Sequence, residues 1–169
     1  MDEIVNKVAQ SALISFDLED LKRTEERVLL DIKDQLFQGL VLREKDFRGF
    51  IKEHDWKQYQ DSHVAITCSV DAIVPTWAYM LITTRLEKYA ATIVFGTLER
   101  LEQKLFENSI RELDVDQFKD KPLVIKGCSE DVPVSAYVDI TERLRPIVKS
   151  IMYGEPCSTV PIYKQPRKK

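Results

Sequence analysis

Cysteine is scarce. The chain has three in 169 residues, and no two stand in a C-x-x-C pair. That argues against a disulfide framework and leaves buried thiol, metal ligand or reactive thiol. Histidine is rarer still. His54 and His63 are the two, neither has a partner at metal-binding spacing, and both read as helix-end or surface residues rather than bases. Glycine numbers five, and the Gly-rich signatures are missing. No G-x-G-x-x-G, GK[ST] or G-x-S-x-G occurs, so neither a phosphate loop nor a serine-hydrolase elbow is present. No apolar run approaches the roughly 18 residues that cross a bilayer. Net charge is −3, which removes any global attraction to nucleic acid or anionic membrane. Lys45, Arg48 and Lys52 share a helix face with Glu44, Asp46 and Glu53, as a solvated face does. The DLED run at 17–20 reads as a solvated strand end.

What remains is ordinary soluble composition, 44% hydrophobic and 31% charged, at a length suited to one domain. The acidic N-terminal run MDEIVNKVAQ is unlike a secretory signal, and the expected location is cytoplasmic. The expected organisation is a single α/β domain over residues 1–163 with a basic tail, 164–169.

Periodicity gives the elements. Ile4, Val5, Val8 and Ala12 mark a short helix. Ile14, Phe16 and Leu18 alternate with polar residues, as do Val28, Leu30 and Ile32. These two runs are expected to pair as a β-hairpin at the sheet edge. A helix follows over Glu44–His54, with Phe47, Phe50 and Ile51 inward. His63–Thr67 reads as a strand and Pro75 as a first-turn residue of the next helix. Trp77, Met80, Leu81, Thr84 and Tyr89 recur at helical spacing; Trp77, Tyr79 and Met80, which follow the Cys68 turn, read as core, with a pocket wall beside Cys68 as the sharper alternative. Thr92–Phe95 is a strand, 97–113 a helix and Pro122–Lys126 a third strand. Ser135 opens a helix carried through Ile151 and kinked at Pro146. Gly154 ends it, and Thr159–Tyr163 is a last strand. Strand–helix alternation implies a largely parallel or mixed sheet flanked by helices. No internal repeat is evident at this level; the Cys-Ser turns are too short to count as one.

Those turns carry the functional expectation. Cys68, Cys128 and Cys157 are each followed by serine: Ser69, Ser129 and Ser158. Cys68 and Cys128 fall after strands and near helix starts, where backbone N–H groups favour thiolate. Three thiolates from separate loops suit zinc or an iron–sulfur cluster. Asp71, with Glu155 or an external group as alternatives, supplies a fourth ligand, and the serine hydroxyls tune the sulfurs. A reactive or persulfide-carrying thiol, as in a small thiol enzyme, is the alternative. A non-catalytic interaction module with structural cysteines is the third reading.

The runs EIVNKVA (3–9), VPTWAYM (74–80), VIKGCS (124–129) and GEPCSTVPIYK (154–164) resemble the bacterial family called domain of unknown function 2480. The resemblance implies a small cytoplasmic protein and supplies no activity or catalytic residues. It also implies iron–sulfur assembly proteins as partners. The sequence expectation is thus a metal-binding accessory protein holding an iron–sulfur cluster or zinc.

Overall fold

Short aliphatic and β-branched runs need neighbours on both sides, and here they find them mostly in parallel. The computed structural model describes residues 13–127, 129–155 and 158–166. The strands are β1 (Ile14–Phe16), β2 (Arg27–Asp31), β3 (His63–Thr67), β4 (Thr92–Phe95), β5 (Pro122–Ile125), β6 (Ser150–Glu155) and β7 (Ser158–Lys164). The helices are α1 (Glu44–Glu53), α2 (Thr76–Leu86), α3 (Leu98–Glu112) and α4 (Val134–Leu144). The fold is α/β. The expected helix at 3–12 and the end of the basic tail, 167–169, lie outside the described residues.

The chain divides into two compact units. Unit 1 is Met1–Lys22 with Phe106–Lys169, and unit 2 is Arg23–Leu105. In unit 1 the strand order is β1-β5-β6-β7, parallel except for β7, which runs antiparallel to β6. In unit 2 the order is β2-β3-β4, all parallel. The expected hairpin is therefore not the pairing found. Ile14 and Phe16 register with Leu123 and Ile125, whereas Val28 and Leu30 register with Val64 and Ile66. Alternation identified both strands correctly but carries no information about their neighbours. Each unit also has its own core. Phe106, Ile110, Leu123, Ile140 and Leu144 belong to one cluster; Phe47, Ile51, Val64, Ile82 and Leu86 belong to another.

The two units are repeats of one another, which corrects the reading of no internal repeat. Pro75-x-x-Ala78-Tyr79-x-x-Ile82-Thr83-x-Arg85-Leu86 recurs as Pro133-x-x-Ala136-Tyr137-x-x-Ile140-Thr141-x-Arg143-Leu144. Ala78, Ile82 and Leu86 are fully buried, as are Ala136, Ile140 and Leu144. Upstream, Asp55-x-x-Gln58-Tyr59-x-Asp61 recurs as Asp114-x-x-Gln117-Phe118-x-Asp120. The local bonding is the same. Asp55 accepts from the Lys57 N–H at 3.1 Å and Asp114 from that of Asp116 at 3.1 Å. Gln58 and Gln117 each donate back to the carbonyl of their aspartate. Asp61 and Asp120 both take positive φ, 59° and 58°. The helices before these turns correspond too, Phe47 and Ile51 matching Phe106 and Ile110. Unit 2 is inserted in unit 1 after β1, so the copies do not follow one another in simple tandem.

Two element boundaries differ from expectation. The last helix starts at Val134, with Pro133 rather than Ser135 at its N-cap, and stops at Leu144. Pro146 cannot continue it, and Ser150–Glu155 becomes β6. Gly154 lies inside that strand with φ +118°, where a Cβ would stand 2.7 Å from the Ser158 carbonyl oxygen. Its counterpart after β4, Gly96, also has positive φ, 132°.

Candidate functional site

Parallel strands deliver their functional loops at their carboxyl ends, and Cys68 follows β3 there. Its thiol donates weakly to the Val70 carbonyl at 3.6 Å. Its half-buried side chain packs against the apolar cluster of unit 2. Ser69 does not serve the sulfur. Its hydroxyl donates to Asp31 Oδ2 at 2.5 Å and its N–H to Oδ1 at 3.1 Å. The Lys33 N–H also donates to Asp31 Oδ1, at 3.1 Å. Burial alone would raise the Asp31 carboxyl. The Ser69 hydroxyl, the two N–H groups and the Lys33 ammonium outweigh it and hold the group below its ordinary value. Tyr79 closes this corner. Burial, and then the nearby Cys68 and Asp31, raise its hydroxyl above the usual phenol value.

Asp31 has a counterpart in Asp17 at the end of β1. Asp17 accepts from the Glu19 N–H at 3.0 Å and pairs with Lys126, the residue after β5, at 3.6 Å. In both units a carboxylate at a strand end pins its own turn and reaches the chain leaving the neighbouring strand. This is architecture, with each oxygen already committed.

The metal-binding function is overturned. Among the described residues no group of three His, Cys, Asp or Glu side chains could hold a metal ion. Cys128 and Cys157 lie outside the described residues. Asp71 is exposed on the loop after Cys68. The Ser129 oxygen accepts from the Asp131 N–H at 3.1 Å, and Ser158 is an exposed first residue of β7. Two serines expected to tune sulfur thus bind an aspartate carboxylate and an aspartate N–H instead.

A different feature emerges on unit 2. The fully buried residues of α2 are Ala78, Ile82 and Leu86. Of the run read from its spacing, Trp77, Leu81 and Tyr89 also pack half-buried against that core, and Met80 and Thr84 stand exposed. Met80 is 64% exposed, and Trp77 and Leu81 are half-buried. With Thr84, and with Glu44 and Arg48 of α1, they line an open groove of about 400 Å³. Arg48 donates to Glu44 at 2.9 Å along the rim. Trp77 is held edge-on against Phe47, ring centroids 5.9 Å apart. The apolar residues of the helix thus extend beyond its fully buried stripe, and periodicity alone does not orient it. The signal was its repeat. At the positions of Trp77, Met80, Leu81 and Thr84, α4 carries Ser135, Val138, Asp139 and Glu142.

No described helix is long and apolar enough to cross a membrane. Comparison with known proteins returns no match among curated proteins and none among solved structures. Nothing in it supports iron–sulfur assembly proteins as partners. One family model does match, over residues 2–165, and its description reads "Protein of unknown function (DUF2480)". The chain belongs to that family.

Proposed function

We propose that the protein works by binding, taking a helical segment of another protein into the α1–α2 groove of unit 2. The observation that carries this is the contrast between equivalent helices. At the four groove positions α4 carries Ser135, Asp139 and Glu142 beside an exposed Val138, while α2 carries Trp77, Met80 and Leu81 with Thr84. Tryptophan and methionine are the residue types that anchor partners and adapt to them. The occupant is helical because the groove is walled by two helices. Its stripe also repeats at i, i+3, i+4 and i+7, the spacing that seats another helix. The groove is open rather than enclosed, which suits a polypeptide better than a small ligand. The few cysteines, without a disulfide pattern, favour a reducing compartment for the encounter.

A photo-crosslinking residue placed at Met80, in living cells, tests the reading against the same residue at Val138. The expected result is a discrete adduct from position 80 and none from 138. The crosslinked segment, made as a peptide, should be helical when bound. It should lose at least about tenfold in affinity for the Met80→Glu protein, the scale expected for an anchor side chain. Equal labelling at both positions, or a peptide that binds Met80→Glu as well as wild type, would sink the proposal.

A further inference from the structure

The repeat exposes a second difference between the units. In unit 1 the outer edge of β6 is covered by β7. The equivalent edge of β4 has no strand on it among the described residues. Gly96 donates its N–H to Ile66 of β3 at 2.9 Å. By the alternation of a parallel strand, Ile93 and Phe95 then turn their backbone N–H and C=O outward. Phe95 is 67% exposed.

Native sheets guard open edges with charge, proline or bulges. Of the other outer strands, β1 is only three residues long, Ile14–Phe16, and the remaining two follow that rule. The β7 strand carries Pro161 and Lys164, and β2 begins with Arg27 and ends with Asp31. Along β4 the chain reads Tyr-Ala-Ala-Thr-Ile-Val-Phe-Gly from 89 to 96, with neither charge nor proline.

We infer that β4 pairs antiparallel with β4 of a second copy of the chain, about a two-fold axis at Val94. The occupant follows from what β7 supplies in unit 1. Tyr163 stands opposite Ile151, and Val160 opposite Tyr153. Ile93 and Phe95 occupy the positions of Ile151 and Tyr153. With Val94 on the axis, each Ile93 faces Phe95 of the other copy. The second strand then provides an aromatic side chain against isoleucine and a β-branched one against the aromatic, as β7 does. Such cross-strand pairs are the unit of sheet stabilisation. The outward backbone groups of both residues are satisfied at once, and the exposed Phe95 ring gains a cover. Both side chains lie on the α2 face, where Phe95 already meets Tyr79 edge-on at 4.9 Å. Val94 faces the other way, against Leu101 and Leu105.

Analytical ultracentrifugation of the full chain over a wide concentration range tests this. Wild type should show a concentration-dependent dimer. Phe95→Lys should weaken it at least about tenfold, since it installs the charge that edge strands use against pairing. Met80→Glu should leave it unchanged, which separates this surface from the groove. Val94→Cys supplies a second readout. Residues opposite in a non-hydrogen-bonded pair have Cα atoms about 4.5 Å apart, within disulfide range. Mild oxidation should therefore link two copies well above the wild-type background. A wild type that stays monomeric overturns the inference and leaves the edge to some other strand. So does a dimer that persists in Phe95→Lys. Should Phe95→Lys fail to fold, absence of the Val94→Cys crosslink overturns it alone.

Discussion

At the scale of single residues, the clearest chemistry is a carboxylate used as a joint. Asp31 collects the Ser69 hydroxyl and N–H and the Lys33 N–H. Its carboxyl is held below the ordinary value, so its contribution is full above the unfolded value of about 3.9. That contribution is lost as pH falls through the lower folded value. Ser69→Ala should cost about 1–2 kcal/mol at neutral pH, below the roughly 1.5–3 kcal/mol of a fully formed hydrogen bond to a charged group because Ser69 is exposed. The deficit should shrink in acid. Urea titrations at pH 7 and pH 3 would read it, and a pH-independent deficit would deny the carboxylate its role. A second joint is steric. A Cβ on Gly127 would enter the ring of Tyr153, whose hydroxyl donates to the Gly127 carbonyl at 2.8 Å. Gly127→Ala should destabilise by about 1–3 kcal/mol, as strain at a tight contact does. The same change in a Tyr153→Ala background should cost less, and equal costs in a double-mutant cycle would contradict the clash.

At the scale of elements, the strands were legible because each is a short apolar run bounded by turn residues. His63–Thr67 and Thr92–Phe95 stand in the structure as their composition predicts. The strand β6 was hidden because Ile147 and Val148 continue the helical spacing of Ile140 and Leu144 past Pro146. The proline ends the helix, and Val148 stays buried outside it. The orientation of α2 was only partly legible, since Trp77, Met80 and Leu81 spread the apolar residues well beyond the stripe of Ala78, Ile82 and Leu86. Only burial decides it, and burial puts Ala78 inside and Met80 out. That difference is measurable. Met80→Glu should shift stability by no more than about 0.5 kcal/mol, as surface changes do. Ala78→Glu should prevent folding or cost several kcal/mol, because it buries an unpaired charge. Thermal melts followed by circular dichroism separate the two. A large loss from Met80→Glu would restore the reading of that stripe as core.

At the scale of the whole molecule, what sequence reading took for one alternating α/β chain is one fold written twice. The duplication is faint in the sequence because the second copy is inserted into the first. The shared residues are sparse, chiefly Pro, Ala, Tyr, Ile, Thr, Arg and Leu at fixed spacing in α2 and α4. The three Cys-Ser pairs are the more visible pattern, yet aligning the copies on Asp61 and Asp120 sets Cys68 against Gly127, so their likeness is not the repeat's own. Two copies with separate cores have a thermodynamic consequence. Ile82 and Ile140 hold the same position, and each is fully buried in its own cluster. Replacing either by alanine should cost about 2–5 kcal/mol, the range for emptying such a site. The loss need not be shared, because proteins open in cooperative parts as well as globally. Amide hydrogen exchange should show Ile82→Ala speeding β3 and β4 more than β5 and β6, and Ile140→Ala the reverse. If each substitution accelerates all four strands alike, the cores unfold as one and the two-unit description fails energetically.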